Sequence, residues 1–372
     1  MFDPVLLRHA LHQIPELAFE EYETHRLLIS HLEDMLSAND SFRIIRFMTS
    51  QGILVEYRGA GIEAGFKLFR ADMDALPTVE KTNCGFVSIH PGMMHACGHD
   101  VHMAVLMGLI HRVLRQSPKQ NLLFLFQPAE EGKGGAQSII AENVLQTYDI
   151  RAAFALHVGS EMPVGSISSK AGIFFGIPQE FDVKFIGKAA HVAFPEKGIN
   201  ALACGMQFYR EINAGIAKLA EQERVIFHVG KMSAGQIRNI IADECLLEGT
   251  HRSLDSGVRD AINMLIKSYA ERVAGQYGAQ CEVQLLGSYD PVVNDTALEL
   301  NLQEVCAELD YQYIPAETVM TGEDFGFFTS MYPGLLFWLG SGNGHPLHSG
   351  SFLPADECIA VGIDLMWGLA LK

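Results

Sequence analysis

Five side chains that can bind a metal ion lie within eight positions of this chain, at His95, Cys97, His99, Asp100 and His102, with apolar residues on both sides. Imidazole, thiolate and carboxylate groups are costly to bury without partners. They become favourable together when a divalent cation shares their lone pairs. The segment therefore predicts a metal centre whose remaining ligands come from elsewhere in the sequence.

Two pairs of carboxylates indicate how such a centre would be completed. Glu130 and Glu131 follow the apolar run Asn121–Gln127, and neighbouring residues in a loop point in different directions. One glutamate can therefore bind a metal while the other holds a water as a general base, which is what metal-assisted hydrolysis requires. Asp72 and Asp74 would by themselves be read as a solvated turn. Beside a metal centre, one of them is expected to accept a hydrogen bond from a metal-bound imidazole or from the base.

Histidines further along the chain supply other candidate ligands. His157 follows the apolar run Ala152–Leu156, and His345 and His348 lie in a glycine-rich loop. Each of them alone is more often a buried structural group or an exposed side chain. A centre with two metal ions needs about five protein ligands, which could be Cys97, His99, Glu131, His157 and one of the two late histidines. Such a set suits zinc, manganese, cobalt or nickel.

These candidates lie in a chain that alternates between strands and helices. The apolar runs Phe66–Ala71, Asn121–Gln127 and Ala152–Leu156 predict strands, and the apolar spacing from His99 to Leu114 predicts a helix. Fully apolar strands flanked by helices indicate a sheet that is buried on both faces. We therefore predict an α/β catalytic domain with a mixed, mainly parallel sheet, whose site lies beyond the carboxyl edge of the strands.

The sequence pattern changes around Gly172. Alternating strands and two longer helices predict a smaller α+β module of ferredoxin-like type over residues 176–288, inserted into a catalytic domain made of residues 1–175 and 289–372. Within the catalytic domain, a helix is expected over Ala136–Tyr148. Asp356 is expected to cap the last helix.

The inserted module carries polar residues that have two interpretations. His191, Asn239 and Arg252 are by default surface groups. If the module closes over the metals, His191 would donate to a developing oxyanion, Arg252 would hold a substrate carboxylate, and Asn239 would be a further substrate-binding residue. The acidic turn Thr321–Gly326 is explained in part as a helix cap. Its Glu323 could instead bind an ammonium group of the substrate.

The composition of the chain excludes several partners. A formal net charge of −17 over 372 residues argues against nucleic acid and anionic membranes. No apolar run approaches the ~18 residues needed to span a membrane. The seven cysteines are scattered and form no CxxC pair, which is typical of a reduced, intracellular protein. The first residues carry no basic patch followed by an apolar stretch, so we expect no secretory signal and a cytoplasmic location.

Four segments resemble the motifs of one family. Arg70–Pro77, His95–Asp100, Gln127–Glu131 and the alanine-flanked His191 are similar to the aminoacylase/hippurate hydrolase branch of the two-metal metallopeptidases, and the resemblance covers essentially the whole chain. It implies a metal-dependent amidohydrolase that acts on a small N-acyl amino acid. It also implies a catalytic domain interrupted by a lid domain that often forms a homodimer.

The resemblance implies a role for each candidate residue. Glu130 would be the proton acceptor, and Asp72, favoured over Asp74, would be the second catalytic residue. His191 would reach an active site, either that of its own chain or that of a partner subunit, as an oxyanion donor. The implied metal ligands are Cys97, His99, Glu131, His157 and His348.

Two alternatives to a hydrolase of one N-acyl amino acid stay open. A broader aminoacylase or hippurate-type hydrolase would use the same mechanism. His251 stands where the family usually has a hydrophobic residue before Arg252, which leaves the substrate less defined than the chemistry. The alternative from another class is a metal-free binding protein that keeps the fold. The presence of every expected ligand and of both glutamates argues against it.

Overall fold

The computed structural model describes residues 2–61, 65–342 and 344–372, which form two compact units. Unit 1 contains the chain up to Phe174 together with Val292–Thr318 and Asp324–Lys372. Unit 2 contains Phe175–Pro291 and the segment Val319–Glu323. The short segment Val319–Glu323 belongs to unit 2, although the residues before and after it in the chain belong to unit 1.

The secondary structure alternates between helices and strands through most of the chain. The helices are α1 (Pro4–Gln13), α2 (Tyr22–Leu36), α3 (His99–Gln116), α4 (Glu130–Lys133), α5 (Gly135–Ala141), α6 (Ala201–Leu219), α7 (Ser256–Tyr277), α8 (Thr296–Glu308), α9 (Gly326–Thr329) and α10 (Glu357–Leu371). Short 3-10 helices lie at Leu145–Thr147 and Pro195–Lys197. None of the described helices is both long and apolar enough to cross a membrane.

The strands belong to two sheets. They are β1 (Phe42–Arg46), β2 (Ile53–Tyr57), β3 (Phe66–Asp72), β4 (Asn121–Gln127), β5 (Ile150–Gly159), β6 (Ser166–Ser169), β7 (Gly172–Phe175), β8 (Ile177–Ile186), β9 (Ile226–Ala234), β10 (Glu244–Ser253), β11 (Gln280–Ser288), β12 (Val292–Asn294), β13 (Gln312–Pro315) and β14 (Gly334–Gly340).

The larger sheet has the strand order β1-β2-β4-β3-β5-β14-β12-β7, and β6 pairs with β14 on one side and with β13 on the other. β3 pairs in parallel with β4 and β5, and β5 pairs in parallel with β14, whereas β1, β2 and β4 are antiparallel neighbours. The predicted mixed, mainly parallel sheet is confirmed. Parallel pairing brings the carboxyl ends of β3, β4 and β5 to one edge, where Asp72, Gln127 and His157 lie.

Helix α3 is largely buried within unit 1 and packs against α1 and α10. Its side chains Val101 and Leu109 are fully buried in the core. At Gly108 the helices approach so closely that a Cβ would lie 2.2 Å from Ile363 Cδ1. His99, in the first turn of α3, is therefore held on a tightly packed element.

Unit 2 is built from one antiparallel sheet and two helices. The strand order is β11-β8-β10-β9, and α6 and α7 pack against this sheet. Phe181, Phe185 and Phe208 are fully buried in its core. The element order is strand, helix, strand, strand, helix, strand. These are the two helices and four strands that the sequence predicts for the inserted module.

Three local expectations are wrong or incomplete. The strands β6, β7, β12 and β13 were not predicted, because each is only three or four residues long and shows no readable periodicity. The helix expected over Ala136–Tyr148 ends at Ala141. The Asp356 side chain does not cap α10, since its carboxylate pairs with Arg8 and His9 instead.

Candidate metal centre

A tight turn at the start of α3 presents Cys97 and His99 to the carboxyl edge of the sheet. The residue between them, Gly98, has φ +84°, and a Cβ there would lie 2.4 Å from Val158 Cγ2. A side chain at this position would be both strained and in collision with β5, so glycine is required. The turn places ligand atoms of Cys97 and His99 within 4.8 Å of a ligand atom of His157.

The five predicted metal ligands are brought together around Cys97. One group joins Cys97 with His99 and His157, and a second joins Cys97 with Glu131 and His348, with the ligand atoms of each group within 4.8 Å of one another. Cys97 Sγ lies 3.3 Å from His157 Nε2, and His348 Nε2 lies 3.4 Å from Glu131 Oε1. The donors are a thiol, three imidazoles and a carboxylate, a combination that suits divalent transition metals.

Two buried atoms of this set fit a bound cation. His99 Nδ1 lies 2.8 Å from the carbonyl oxygen of Asp74, so in the neutral ring this nitrogen carries the proton and Nε2 carries the lone pair. His99 Nε2 and Glu131 Oε1 are buried, and neither has a hydrogen-bond partner among the described residues. Such atoms are costly to bury alone. A cation between them would remove that cost.

Without metal, the protonation of the set is mixed: burial lowers the pKa of His99, but Asp72 and Asp74 outweigh it and raise that pKa to about 10, so a cation would have to displace a proton from this ring. Burial lowers the pKa of His157 to about 3, so its ring is neutral and can bind a metal. Burial and the carboxylates of Glu131 and Glu130 raise the pKa of the Cys97 thiol. A metal thiolate at this position therefore depends on the charge of the metal itself.

Asp72 is held by buried partners on both of its oxygens. His102 Nδ1 lies 2.6 Å from Asp72 Oδ1, and Arg70 donates to Oδ2 at 2.8 Å. Burial opposes the charge of Asp72, but His99, His102 and Arg70 outweigh it and lower its pKa well below the ordinary value. Because His102 Nε2 accepts the Val158 N–H at 3.0 Å, both of its ring nitrogens are occupied. These two hydrogen bonds of His102 fix the orientation of the Asp72 carboxylate.

Asp74 holds the turn that carries the glutamate pair. Its carboxylate accepts the N–H of Glu130 at 3.1 Å and the N–H of Glu131 at 2.9 Å. Glu131 leaves the helical region, with φ −72° and ψ 85°, yet a carboxylate oxygen of Glu131 lies within 4.8 Å of one of Glu130. Both still have a ligand atom within 4.8 Å of one on His99. The choice between Asp72 and Asp74 as the second catalytic residue stays a prediction.

A buried network behind the site was not predicted in its detail. Arg70 donates to Gln127 at 2.8 Å and to Asp324 at 2.7 Å, and Gln127 donates to Asp324 at 2.8 Å. Asp324 also accepts the N–H of Ala136 in α5 at 2.9 Å. Burial raises the pKa of Asp324 to about 6 against the opposing charge of Arg70. The signal in the sequence is a charged residue, Arg70, within an otherwise apolar strand.

A second buried network underlies the first turn of α3. Asp100 accepts from Arg8 at 3.1 Å and from His12 at 2.9 Å, and the other ring nitrogen of His12 lies 3.3 Å from Glu80. Burial opposes the charge of His12, yet hydrogen bonds to Asp100 and Glu80 raise its pKa to about 9. The pKa of Glu80 falls to about 2, because the bond to His12 outweighs burial.

Replacing His12 with glutamine is expected to lower the free energy of unfolding by about 3 kcal/mol near pH 6. The raised pKa of His12 contributes stability that is complete below its ordinary value of 6.5 and is lost as pH rises through about 9. The difference between wild type and variant should therefore shrink at pH above 9. Urea unfolding of both proteins at pH 6 and pH 9.5 measures it, and an equal difference at both values would contradict the assignment.

Unit 2 carries His191, predicted as a catalytic residue, and three predicted substrate-binding residues, of which Asn239 lies close to His191. His191 and Asn239 are both exposed. They lie close together, because the N–H of Val192 donates to the carbonyl oxygen of Asn239 and His191 forms an isolated antiparallel β-bridge with Ile240. His191 Nδ1 accepts the N–H of Ala193, so the neutral ring carries its proton on Nε2.

Two further predicted residues lie away from this pair. Arg252, in β10, donates to Thr250 Oγ1 and to the carbonyl of His251. Glu323 is only 2% exposed, at the end of the segment Val319–Glu323. The roles proposed for His191, Asn239, Arg252 and Glu323 stay predictions.

A sheet edge that gathers cysteine, histidine and glutamate ligands beside a second glutamate is the arrangement of a metal-dependent hydrolase. Residues 68–372 match the model of peptidase family M20/M25/M40. The chain belongs to this family, and its class of activity is hydrolysis. The resemblance read from the motifs is thereby confirmed.

Named relatives align over nearly the full chain. It is 36% identical to N-acetyldiaminopimelate deacetylase of Streptococcus pneumoniae strain CGSP14 over 98% of this chain and 96% of the relative. It is 34% identical to the enzyme of that name from Shouchella clausii over 98% of this chain and 97% of the relative. Among solved structures, a dinuclear metal-binding M20 peptidase of Bacillus subtilis is 30% identical with a TM-score of 0.83, over 99% of this chain and 96% of that one.

Proposed function

We propose that the protein hydrolyses the acetamide bond of N-acetyl-L,L-diaminopimelate to give L,L-diaminopimelate and acetate. One observation carries the proposal: a carboxylate oxygen of Glu130 lies within 4.8 Å of ligand atoms of Glu131 and His99, and all three residues belong to unit 1. The choice of substrate is supported by relatives that carry the deacetylase name and align over 98% of the chain. We place the reaction in lysine biosynthesis in the cytoplasm.

The residues of the site divide the work of hydrolysis. Two divalent cations held by Cys97, His99, Glu131, His157 and His348 would lower the pKa of a water and polarise the amide carbonyl. Glu130 accepts the proton of the attacking water and delivers it to the leaving amine. Asp74 keeps Glu130 in place through the backbone of the turn. We propose zinc, manganese, cobalt or nickel as the metal, because these ions accept nitrogen, sulfur and oxygen ligands together.

The substrate contacts are proposed from the chemistry of the side chains. His191 presents an Nε2–H, which would donate to the oxyanion of the tetrahedral intermediate. Arg252 would hold the α-carboxylate, with Asn239 as a further polar contact. Glu323 would bind the distal ammonium of diaminopimelate. If Glu323→Gln leaves the preference for N-acetyldiaminopimelate over N-acetylleucine unchanged, this last role is wrong.

A substrate panel tests the proposed function. The protein, reconstituted with each of the four metals, is assayed on N-acetyl-L,L-diaminopimelate, N-acetylmethionine and hippurate. We expect kcat/KM on the first to exceed the others by about 10²-fold or more, since a substrate lacking the distal amine leaves polar groups of the site unpaired. Comparable rates on all three would favour a broader aminoacylase. No hydrolysis and no bound metal would favour a binding protein.

We further propose that unit 2 forms a homodimer through α6 and β9. β9 is at the edge of its sheet, with backbone groups available to pair with another chain. Met206 and Tyr209 of α6 and Met232 of β9 are exposed large apolar side chains. Such side chains beside a sheet edge favour a second copy of the chain as the partner.

The oligomeric state of charge variants tests this interface. We expect the molar mass from light scattering to be that of a dimer for the wild type and of a monomer for the Met206→Glu, Met232→Glu double variant. Met264→Glu is the matched control, because Met264 is 65% exposed on α7. A monomeric wild type, or dissociation by the control substitution, would contradict the proposal.

A further inference from the structure

The turn that carries the glutamate pair is held by a second buried carboxylate, that of Glu21. Glu21 Oε1 accepts the N–H of Ala129 at 2.8 Å, across 108 positions of sequence. Asp74 accepts the next two N–H groups, those of Glu130 and Glu131. Two buried carboxylates therefore accept the N–H groups of three consecutive residues, of which the last two are the glutamates themselves.

This turn needs hydrogen bonds from outside it because its backbone is strained. Ala129 has φ +58°, a left-handed conformation that a residue with a Cβ adopts only at a cost. Gly135 closes the turn from the other side, since a Cβ there would lie 1.7 Å from Pro128 O. Without a bonded acceptor for its N–H, Ala129 would gain by relaxing, and Glu130 and Glu131 would move with it.

Glu21 is free for this task because another residue caps its helix. Glu21 occupies the N-cap position of α2, but its side chain makes no cap hydrogen bond. Glu16 takes that role, as its carboxylate accepts the N–H groups of Glu23 and Thr24. The Glu21 side chain, fully buried, instead accepts from Phe19 and Ala129.

We infer that Glu21 is a positioning residue of the hydrolase, which fixes the turn at Ala129 so that Glu130 and Glu131 face the metal centre. Glu21 acts through the backbone and needs only a hydrogen-bond acceptor of the right reach. Burial and the nearby charge of Asp74 raise the pKa of Glu21 to about 8, so a negative charge is not essential to it at neutral pH. The inference rests on the proposed function, because it assigns Glu130 to proton transfer.

Two conservative variants separate reach from charge. Glu21→Gln keeps an acceptor oxygen at the same distance and cannot ionise, whereas Glu21→Asp keeps an ionisable carboxyl group and loses the reach. In the metal-loaded enzyme we expect Glu21→Gln to keep kcat within about threefold of wild type. Glu21→Asp is expected to lower kcat by about 10²-fold with little change in KM, because the misplaced group acts in the chemical step.

Glu299→Asp is the matched control for a shortened buried carboxylate. Glu299 is 5% exposed in α8, and its carboxylate accepts from Gln303 and Tyr313. This control is expected to keep wild-type kcat. Equal losses in Glu299→Asp and Glu21→Asp would reduce the effect to general destabilisation and overturn the inference. A larger loss in Glu21→Gln than in Glu21→Asp would show that charge matters, and would also overturn it.

Metal affinity gives a second readout that does not depend on the substrate. Titration of metal-free protein with Mn²⁺ is expected to show affinity reduced by about 10-fold or more in Glu21→Asp and unchanged in Glu21→Gln, since Glu131 lies on the same turn. If the wild type cleaves no substrate of the panel, the proposed function fails while this titration still tests the turn. Unchanged affinity and unchanged kcat in Glu21→Asp would overturn the inference.

Discussion

Glu130→Gln is expected to lower kcat by about 10³-fold while both metal ions remain bound. The amide has the shape of the carboxylate and leaves the backbone bond from Glu130 N–H to Asp74 intact. It cannot accept a proton at neutral pH, so the attacking water is not activated and the leaving amine is not protonated. Steady-state kinetics on the best substrate of the panel and metal content from the same preparation measure the effect.

Glu131→Gln is the control that separates proton transfer from metal binding. Glu131 lies next in sequence on the same turn, and its Oε1 is 3.4 Å from His348 Nε2. We expect this variant to lose metal as well as activity, because an amide is a far weaker metal ligand than a carboxylate. If Glu130→Gln also lost metal, or if it kept wild-type kcat, Glu130 would not be the proton acceptor.

The clustering of the candidate ligands could be predicted because strand ends and side-chain chemistry are both local features. The apolar runs that became β3, β4 and β5 each end at or near a polar residue, and their parallel pairing places Asp72, Gln127 and His157 at one edge. Because cysteine and histidine side chains bind divalent transition metals, their presence at this edge favours a metal site. Strand ends and chemistry thus predict where candidate ligands gather, whereas the choice of His348 over His345 came from the family resemblance, and metal binding by the set stays a prediction.

The supporting contacts could not be predicted, because they join residues that are far apart in sequence. Arg70 and Asp324 are separated by 254 positions, and Glu21 and Ala129 by 108. Which carboxylate accepts which N–H depends on the packing of several elements at once. A Glu at the start of a helix is ordinarily read as a favourable charge near the N-terminus of the helix. The structure shows instead that the side chain of Glu21 accepts a hydrogen bond from Ala129, which lies in a different turn.

Cys97 is expected to be the residue whose loss empties the whole centre. It is shared by the group with His99 and His157 and by the group with Glu131 and His348. Cys97→Ala should therefore lower the metal content from about two ions per chain to below one and abolish hydrolysis. Atomic absorption of the protein after dialysis against trace metal measures the stoichiometry.

Variants that remove a ligand belonging to one of these groups test whether the loss of both ions is specific to the thiolate that the two groups share. His157→Ala removes a ligand from the group with His99, and His348→Ala removes one from the group with Glu131, so each variant should retain about one ion per chain. Cys306→Ala, which removes an equally buried thiol from α8, should retain both ions. Because a thiolate shared by two cations would neutralise part of both charges, its removal would leave the cations to repel each other at short range. Two bound ions in Cys97→Ala would mean that the groups bind metal independently.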